Sequence, residues 1–168
     1  SSSGFGNDPK KNTETLKEIA TEAQRLDTVF LIGGDRPSSP GEFENYGIFI
    51  DERGEISGEY LKQHPVPFGE YIPFRKYLDW IPPLSLVPRD MVRGTQQQVF
   101  TTNKNEIKIS PVISFEGSFD RYIRRSVVQG AEVVVILTNQ ASYGESGMSD
   151  QFIPVSYTHL RAHETKTD

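Results

Sequence analysis

Cysteine is absent from all 168 residues, so the chain holds no disulfide framework, no thiolate metal site and no thiol nucleophile. A basic excess is absent as well: 18 Lys and Arg face 23 Asp and Glu, for a formal charge of -5. That balance argues against a nucleic-acid or anionic-lipid surface as the main binding face. Long apolar runs are missing; the longest, Val133–Leu137, falls far short of the roughly 20 residues that cross a bilayer. Nothing at Ser1 has the charged-then-apolar pattern of a signal peptide. Gly33-Gly34 lacks the remaining glycines of a dinucleotide loop, and no phosphate-cradling stretch ends in Lys-Ser or Lys-Thr, which disfavours nucleotide chemistry. What remains, with 35% hydrophobic residues, is one domain around a single core. The Ser-rich opening without a methionine reads as a fragment of something longer.

Periodicity then supplies the elements. After the cap Asp8-Pro9, the spacing of Leu16, Ile19, Ala20, Ala23 and Leu26 predicts an amphipathic helix. Residues 28–32 read as a buried strand closed by Gly33-Gly34, and residues 45–50 and 55–62 as two strands around Asp51-Glu52-Arg53-Gly54. This hairpin delivers Lys62 at its exit. Six prolines break residues 63–94, yet Phe68, Tyr71, Phe74, Tyr77, Trp80 and Leu84 keep the segment apolar; a long aromatic loop of this kind reads as a lid. A second hairpin is expected over residues 99–102 and 107–114. An elbow at Glu116-Gly117 follows, then a helix over 118–129 with Phe119, Tyr122, Ile123 and Val127 on its apolar face and Gly130 as its cap, and a buried strand over 132–138. Residues 154–168 differ in character. From Val155 they resemble the translated adapter read-through found at the ends of environmental gene fragments, so the domain is expected over 1–153 and the tail is set aside.

Four residues in this pattern can carry chemistry. Ser114 stands at a strand end before an elbow, where a side chain is presented above a sheet at a helix entrance. Lys62, between a hairpin and an aromatic lid, can be desolvated and held near a developing oxyanion, although an isolated lysine is ordinarily solvated. Glu70 and Glu116 sit beside aromatic residues, and either can pair with Lys62 or carry a proton. His64, without an Asp or Ser at triad-like spacing, reads as a loop hydrogen-bonder. His159 and His163 lie four apart but fall in the tail and lack a third ligand.

Residues 60–74, Tyr-Leu-Lys-Gln-His-Pro-Val-Pro-Phe-Gly-Glu-Tyr-Ile-Pro-Phe, resemble the lysine-bearing segment of the apolipoprotein N-acyltransferases of the nitrilase, or carbon-nitrogen hydrolase, superfamily. Four further segments agree in order: Gly33-Gly34; Asn45-Tyr46; Ile113-Ser-Phe-Glu116, where the family has Ile-Cys-Tyr/Phe-Glu; and residues 130–144. The resemblance covers roughly residues 1–151. It implies an α/β fold, an incomplete nitrilase-like α-β-β-α sandwich, which in the full-length family member lies on the extracytoplasmic side of the cell membrane above transmembrane helices. It implies that Lys62 stabilises the tetrahedral intermediate, that Glu70 is the lid glutamate beside it, and that Glu116 follows the nucleophile by two. The family's general base lies in a Pro-Glu segment expected just upstream of Ser1.

The implied reaction moves an acyl chain from a membrane phospholipid to the nucleophile, then to the N-terminal cysteine of a bacterial apolipoprotein. The lid would contact the membrane, and no metal or organic cofactor and no nucleic acid would take part. The nucleophile position departs from the family, because Ser114 replaces Cys. A thiol ionises near pH ~8.5, whereas an alcohol needs a stronger base or a relay. The sequence is compatible with a serine-using variant, an inactive relative and a Cys→Ser change. It also leaves open a soluble nitrilase-like amidase and a binding scaffold, and does not fix the oligomeric state.

Overall fold

A computed structural model describes residue 10 and residues 13–78 and 87–138. Helix α1, Thr13–Leu26, presses Leu16, Ile19 and Ala23 of its apolar stripe on the first sheet and ends at a half-exposed Leu26. That sheet is built from β1 (Phe30–Pro37), β2 (Glu42–Ile50) and β3 (Ile56–Leu61), all antiparallel. Along β2, Tyr46, Ile48 and Ile50 point to α1 and pack with Ala23 and Ile32. The alternate residue Phe49 points the other way, onto Tyr60, Phe100 and Ile113. Period-two alternation thus gives one strand two cores.

The second sheet has β5 (Phe100–Thr101) antiparallel to β6 (Lys108–Ile113), and β6 parallel to β7 (Val133–Leu137). Parallel pairing of β6 and β7 requires a crossover, and helix α3, Asp120–Val128, supplies it. Tyr122 and Ile123 of α3 cover Val112 on the outer face of this sheet, while Leu137 and Ile109 join the core between the sheets. The layers therefore run helix, sheet, sheet, helix, an α-β-β-α sandwich.

Three details depart from the sequence reading. Gly33-Gly34 lies inside β1 rather than closing it, opposite Gly47 and Tyr46; Gly33 faces Leu137 of the other sheet at ordinary contact distance, and Gly47, whose Cβ would stand 2.9 Å from that side chain, leaves room for it. Val127 is 42% exposed, and Ser126 takes the inward place on α3 through its bonds to Tyr122 O at 3.0 Å and Ser110 Oγ at 2.9 Å. The lid region holds two short regular pieces, α2 (Arg75–Leu78) and β4 (Asp90–Val92). β4 lies parallel to Glu42, Phe43 and Glu44 of β2, on the same edge as β3 and beyond its end. Asp8-Pro9, Trp80, Leu84 and residues 139–168 lie outside the described residues. Among the described residues no helix is long and apolar enough to cross a membrane.

Candidate active site

Lys62 sits immediately after the last residue of β3. Its N–H still bonds Asn45 O at 2.9 Å, and its carbonyl accepts from Gly94 N at 2.8 Å on the returning chain. That return is close: a Cβ on Gly94 would stand 2.2 Å from Leu61 O, so no side chain fits there. The strand exit leaves the Lys62 side chain fully buried, with Nζ at 2.6 and 2.7 Å from the two oxygens of Glu70. Glu70 is itself set by a tight turn. Its N–H donates to Val66 O and its Oε2 accepts from Val66 N, both at 2.8 Å, while its carbonyl accepts from Met91 N of β4. A buried ammonium costs several kcal/mol unless paired and hydrogen-bonded, and Glu70 supplies both. Of the two candidate carboxylates, Glu70 is the one that meets Lys62.

Glu116 does something different. It is fully buried, and its two oxygens accept four bonds: Gln63 N at 2.5 Å and His64 N at 3.0 Å on Oε1, Ile113 N at 2.7 Å and Tyr60 OH at 2.9 Å on Oε2. Burial pushes its carboxyl above the usual range, against these donors, which pull it down. Burial also pushes the Tyr60 phenol well up, and the Glu116 charge adds to that. One carboxylate therefore bridges the residues following Lys62 and the residue preceding Ser114.

Ser114 opens a 3-10 turn, Ser114–Ser118, at the end of β6. Its φ of 50° lies in the left-handed region, which non-glycine residues rarely occupy and which recurs at functional sites. The elbow expected from sequence is therefore a real bend, with the strained backbone at Ser114 itself. His64 packs its ring against Phe119 at 4.5 Å and Phe115 at 5.7 Å, and its Nδ1 lies 2.7 Å from Arg121 Nη2. Burial pushes its imidazole down, and the charges of Arg121, Arg93 and Lys62 push it further. His64 does hydrogen-bond, but it also packs among rings. His159 and His163 lie outside the described residues, and among those described no three His, Asp or Glu side chains gather for a metal.

The lid is fastened by Arg75, whose Nε and Nη2 bond the two oxygens of Asp90 at 2.9 and 2.6 Å while Nη2 also reaches Val87 O at 2.8 Å. Outside that clamp, Phe74 and Tyr77 are 79% and 77% exposed and Phe68 is 56% exposed. The residues that sequence reasoning missed are Gln63 and Gln97, which are buried and bonded to each other at 2.9 Å. Gln97 belongs to the polar run Gln96-Gln97-Gln98, and nothing in such a run distinguishes the inward residue.

Known proteins match this arrangement. The chain is 33% identical over 162 residues to the apolipoprotein N-acyltransferase of Geobacter metallireducens, covering 95% of this chain and 30% of that protein. It is 34% identical over 139 residues to that of Haemophilus ducreyi, covering 78% and 27%. The chain thus spans less than a third of the length of these relatives. Among solved structures, the amidase from Nesterenkonia sp. AN1, with the acetamide moiety of fluoroacetamide added at its active-site cysteine, superposes with a TM-score of 0.54 at 17% identity, covering 85% of this chain and 47% of that one. This likeness is one of fold, and it is the nitrilase fold. Residues 4–156 match the carbon-nitrogen hydrolase family as a whole, and with the layered sandwich and its buried lysine in place the chain belongs to that family.

Proposed function

We propose that this chain is the acyl-handling part of an apolipoprotein N-acyltransferase, working on the extracytoplasmic face of a cell membrane. One observation carries the reading: a fully buried Lys62, charge-paired to Glu70, is tied through Glu116 to the strained elbow at Ser114. In this reading residue 114 attacks the ester carbonyl of a phospholipid. A bond forms from its side chain to the carbonyl carbon, the carbonyl oxygen takes the negative charge, and the Lys62 ammonium stabilises it. A general base takes the side-chain proton of residue 114 during the attack and gives it to the departing oxygen as collapse breaks the ester C–O bond, so that the lysophospholipid alcohol leaves and an acyl-enzyme remains. The α-amine of a lipoprotein N-terminal cysteine then attacks the acyl carbon, and the same base moves its proton to the side chain that is released. Glu70 holds the ammonium, and Glu116 positions the two segments. The exposed Phe68, Phe74 and Tyr77 suit a lid resting in the lipid interface, where aromatic rings are favoured.

Ser114 favours a second reading, a relative that keeps the sandwich as a scaffold, because an alcohol ionises far less readily than a thiol. The test is S114C in a chain completed to the length of its relatives, incubated with phospholipid vesicles and weighed intact. Gain of one acyl chain, lost again with Lys62→Met, supports the transferase. No gain in the S114C protein supports the scaffold, and a gain from small amides but not from lipid supports a soluble amidase.

A further inference from the structure

Behind Lys62 and Glu116 lies a buried polar chain that no role above uses. Gln97 is 6% exposed and Gln63 8%. Gln97 Nε2 donates to Pro111 O at 2.7 Å and to Ser110 Oγ at 3.0 Å, both on β6, and its Oε1 accepts from Gln63 Nε2 at 2.9 Å. Gln63 immediately follows Lys62. We infer that Gln97 is a positioning residue that fixes the Lys62 segment against the strand bearing residue 114.

The amide orientation is forced. A carbonyl only accepts, so Pro111 O requires the Gln97 nitrogen, and the Gln97 oxygen is left for Gln63. Gln63 Nε2 also donates to Tyr60 OH at 3.1 Å, which leaves the phenolic proton for Glu116 Oε2 at 2.9 Å. Glu116 Oε1 then accepts the backbone N–H of Gln63 itself. The bonds therefore form a closed loop of fixed polarity through β6, Gln97, Gln63, Tyr60 and Glu116, returning to β6 at Ile113 N. Buried networks satisfied at every member hold one geometry, and breaking one member orphans its neighbours. Glu116 alone joins the two segments at their ends. Gln97 adds a second tie two and three residues earlier on β6, at Pro111 and Ser110, and two separated ties stop the segments from pivoting.

The inference rests on the reading of Lys62 and residue 114 proposed above, and one experiment separates the two. The chain has no cysteine, so S114C introduces a unique thiol whose alkylation by iodoacetamide is followed against pH. With the Lys62 ammonium at hand, the midpoint lies below the ordinary thiol value. Gln97→Leu in the S114C chain is expected to raise that midpoint by about one pH unit, cutting the thiolate fraction about tenfold at a pH well below both midpoints, with the alkylation rate falling alongside. Gln97→Glu keeps the reach and the acceptor but loses the donor to Pro111 O, and is expected to behave like Leu. Ile48→Val, in the core under α1, lowers the melting temperature without moving the midpoint, as a merely structural lesion does.

If Lys62→Met raises the midpoint and Gln97→Leu leaves it where S114C alone has it, the positioning role is wrong and the active-site reading stands. If Lys62→Met leaves it unmoved, the active-site reading fails and the role of Gln97 fails with it. Should the Leu variant not fold, Gln97→Asn, one methylene short but still an amide, is expected to give a smaller rise, and no rise overturns the inference.

Discussion

Replacing Glu116 by Gln preserves shape and removes one acceptor. The wild-type carboxylate takes four donors, two on each oxygen; the amide has one oxygen and one NH2 group. If the NH2 faces Gln63 and His64, two backbone N–H groups are orphaned. If it faces Ile113 and Tyr60, the phenol can rotate to accept, which strands the Ile113 N–H and takes the phenolic proton from its acceptor. The second arrangement is cheaper, because a hydroxyl can turn where a backbone N–H cannot, and one buried unpaired N–H costs about 1–3 kcal/mol. The surviving bonds also lose charge assistance, each falling from about 2 towards about 1 kcal/mol. Relief of the desolvation that raises this carboxyl offsets part of the loss. The expected net destabilisation is about 2–4 kcal/mol, a large share of the roughly 5–15 kcal/mol that holds an ordinary domain together. Urea unfolding followed by circular dichroism measures it, with an unchanged slope showing that the unfolded state is the same. Tyr60→Phe should be non-additive with Glu116→Gln by about 1 kcal/mol, since both act on one bond. A loss under about 1 kcal/mol for Glu116→Gln, or full additivity, would refute the clamp.

Other outcomes follow from the same structure. A Cβ on Gly58 would stand 2.4 Å from the Phe100 ring, so Gly58→Ala is expected to cost about 1–3 kcal/mol by overpacking, and Phe100→Leu in the same chain to recover part of it; denaturation of the four combinations decides. Arg75 holds the Asp90 carboxyl below its ordinary 3.8. A lowered folded value stabilises above the unfolded one and is lost as pH falls through the folded one. The melting-temperature gap between the wild type and Asp90→Asn should therefore be present at pH 6 and close below about pH 4; a gap independent of pH counts against the clamp. If the lid rests in a lipid interface, Phe74→Ser and Tyr77→Ser should each weaken vesicle binding by at least about tenfold, given about 1.5–3 kcal/mol for burying such a ring, with melting unchanged. Sedimentation with liposomes reads this out, and equal binding by all three proteins speaks against membrane contact through these rings.

Local signals carried much of the fold. The α1 stripe, the turn before Gly54 (φ 77°) and the cap at Gly130 (φ 87°) are each written in a few neighbouring residues. What escaped depends on distant partners. Gly33 looked like a strand end because glycine weakens strands locally, whereas here its pairing with Gly47 keeps it inside β1, and it is Gly47 that makes room for Leu137 of the facing sheet. β4 has three residues and no periodicity of its own; only its pairing with Glu42, Phe43 and Glu44 makes it a strand. At the candidate site, residue type and neighbourhood made Lys62, Glu70, Glu116 and Ser114 candidates, and the family resemblance set them apart from ordinary surface and strand-end residues. Which glutamate meets the lysine was not legible, because Glu70 lies eight positions along a proline-broken chain from Lys62 and the turn at Val66 decides it. The Gln63–Gln97 tie spans 34 positions and leaves no local mark.

The backbone angle at Ser114 limits what evolution or a designer can install there. Threonine is the nearest chemical substitute for serine, yet its branched Cβ collides with the chain at a φ of 50°. Glycine, asparagine and aspartate accept the angle more readily, but glycine has no reactive atom and the other two carry different chemistry. Serine and cysteine, each unbranched and differing by one atom, are the hydroxyl and thiol side chains that suit this corner, so a swap between them changes the reactivity of the molecule while leaving its shape alone.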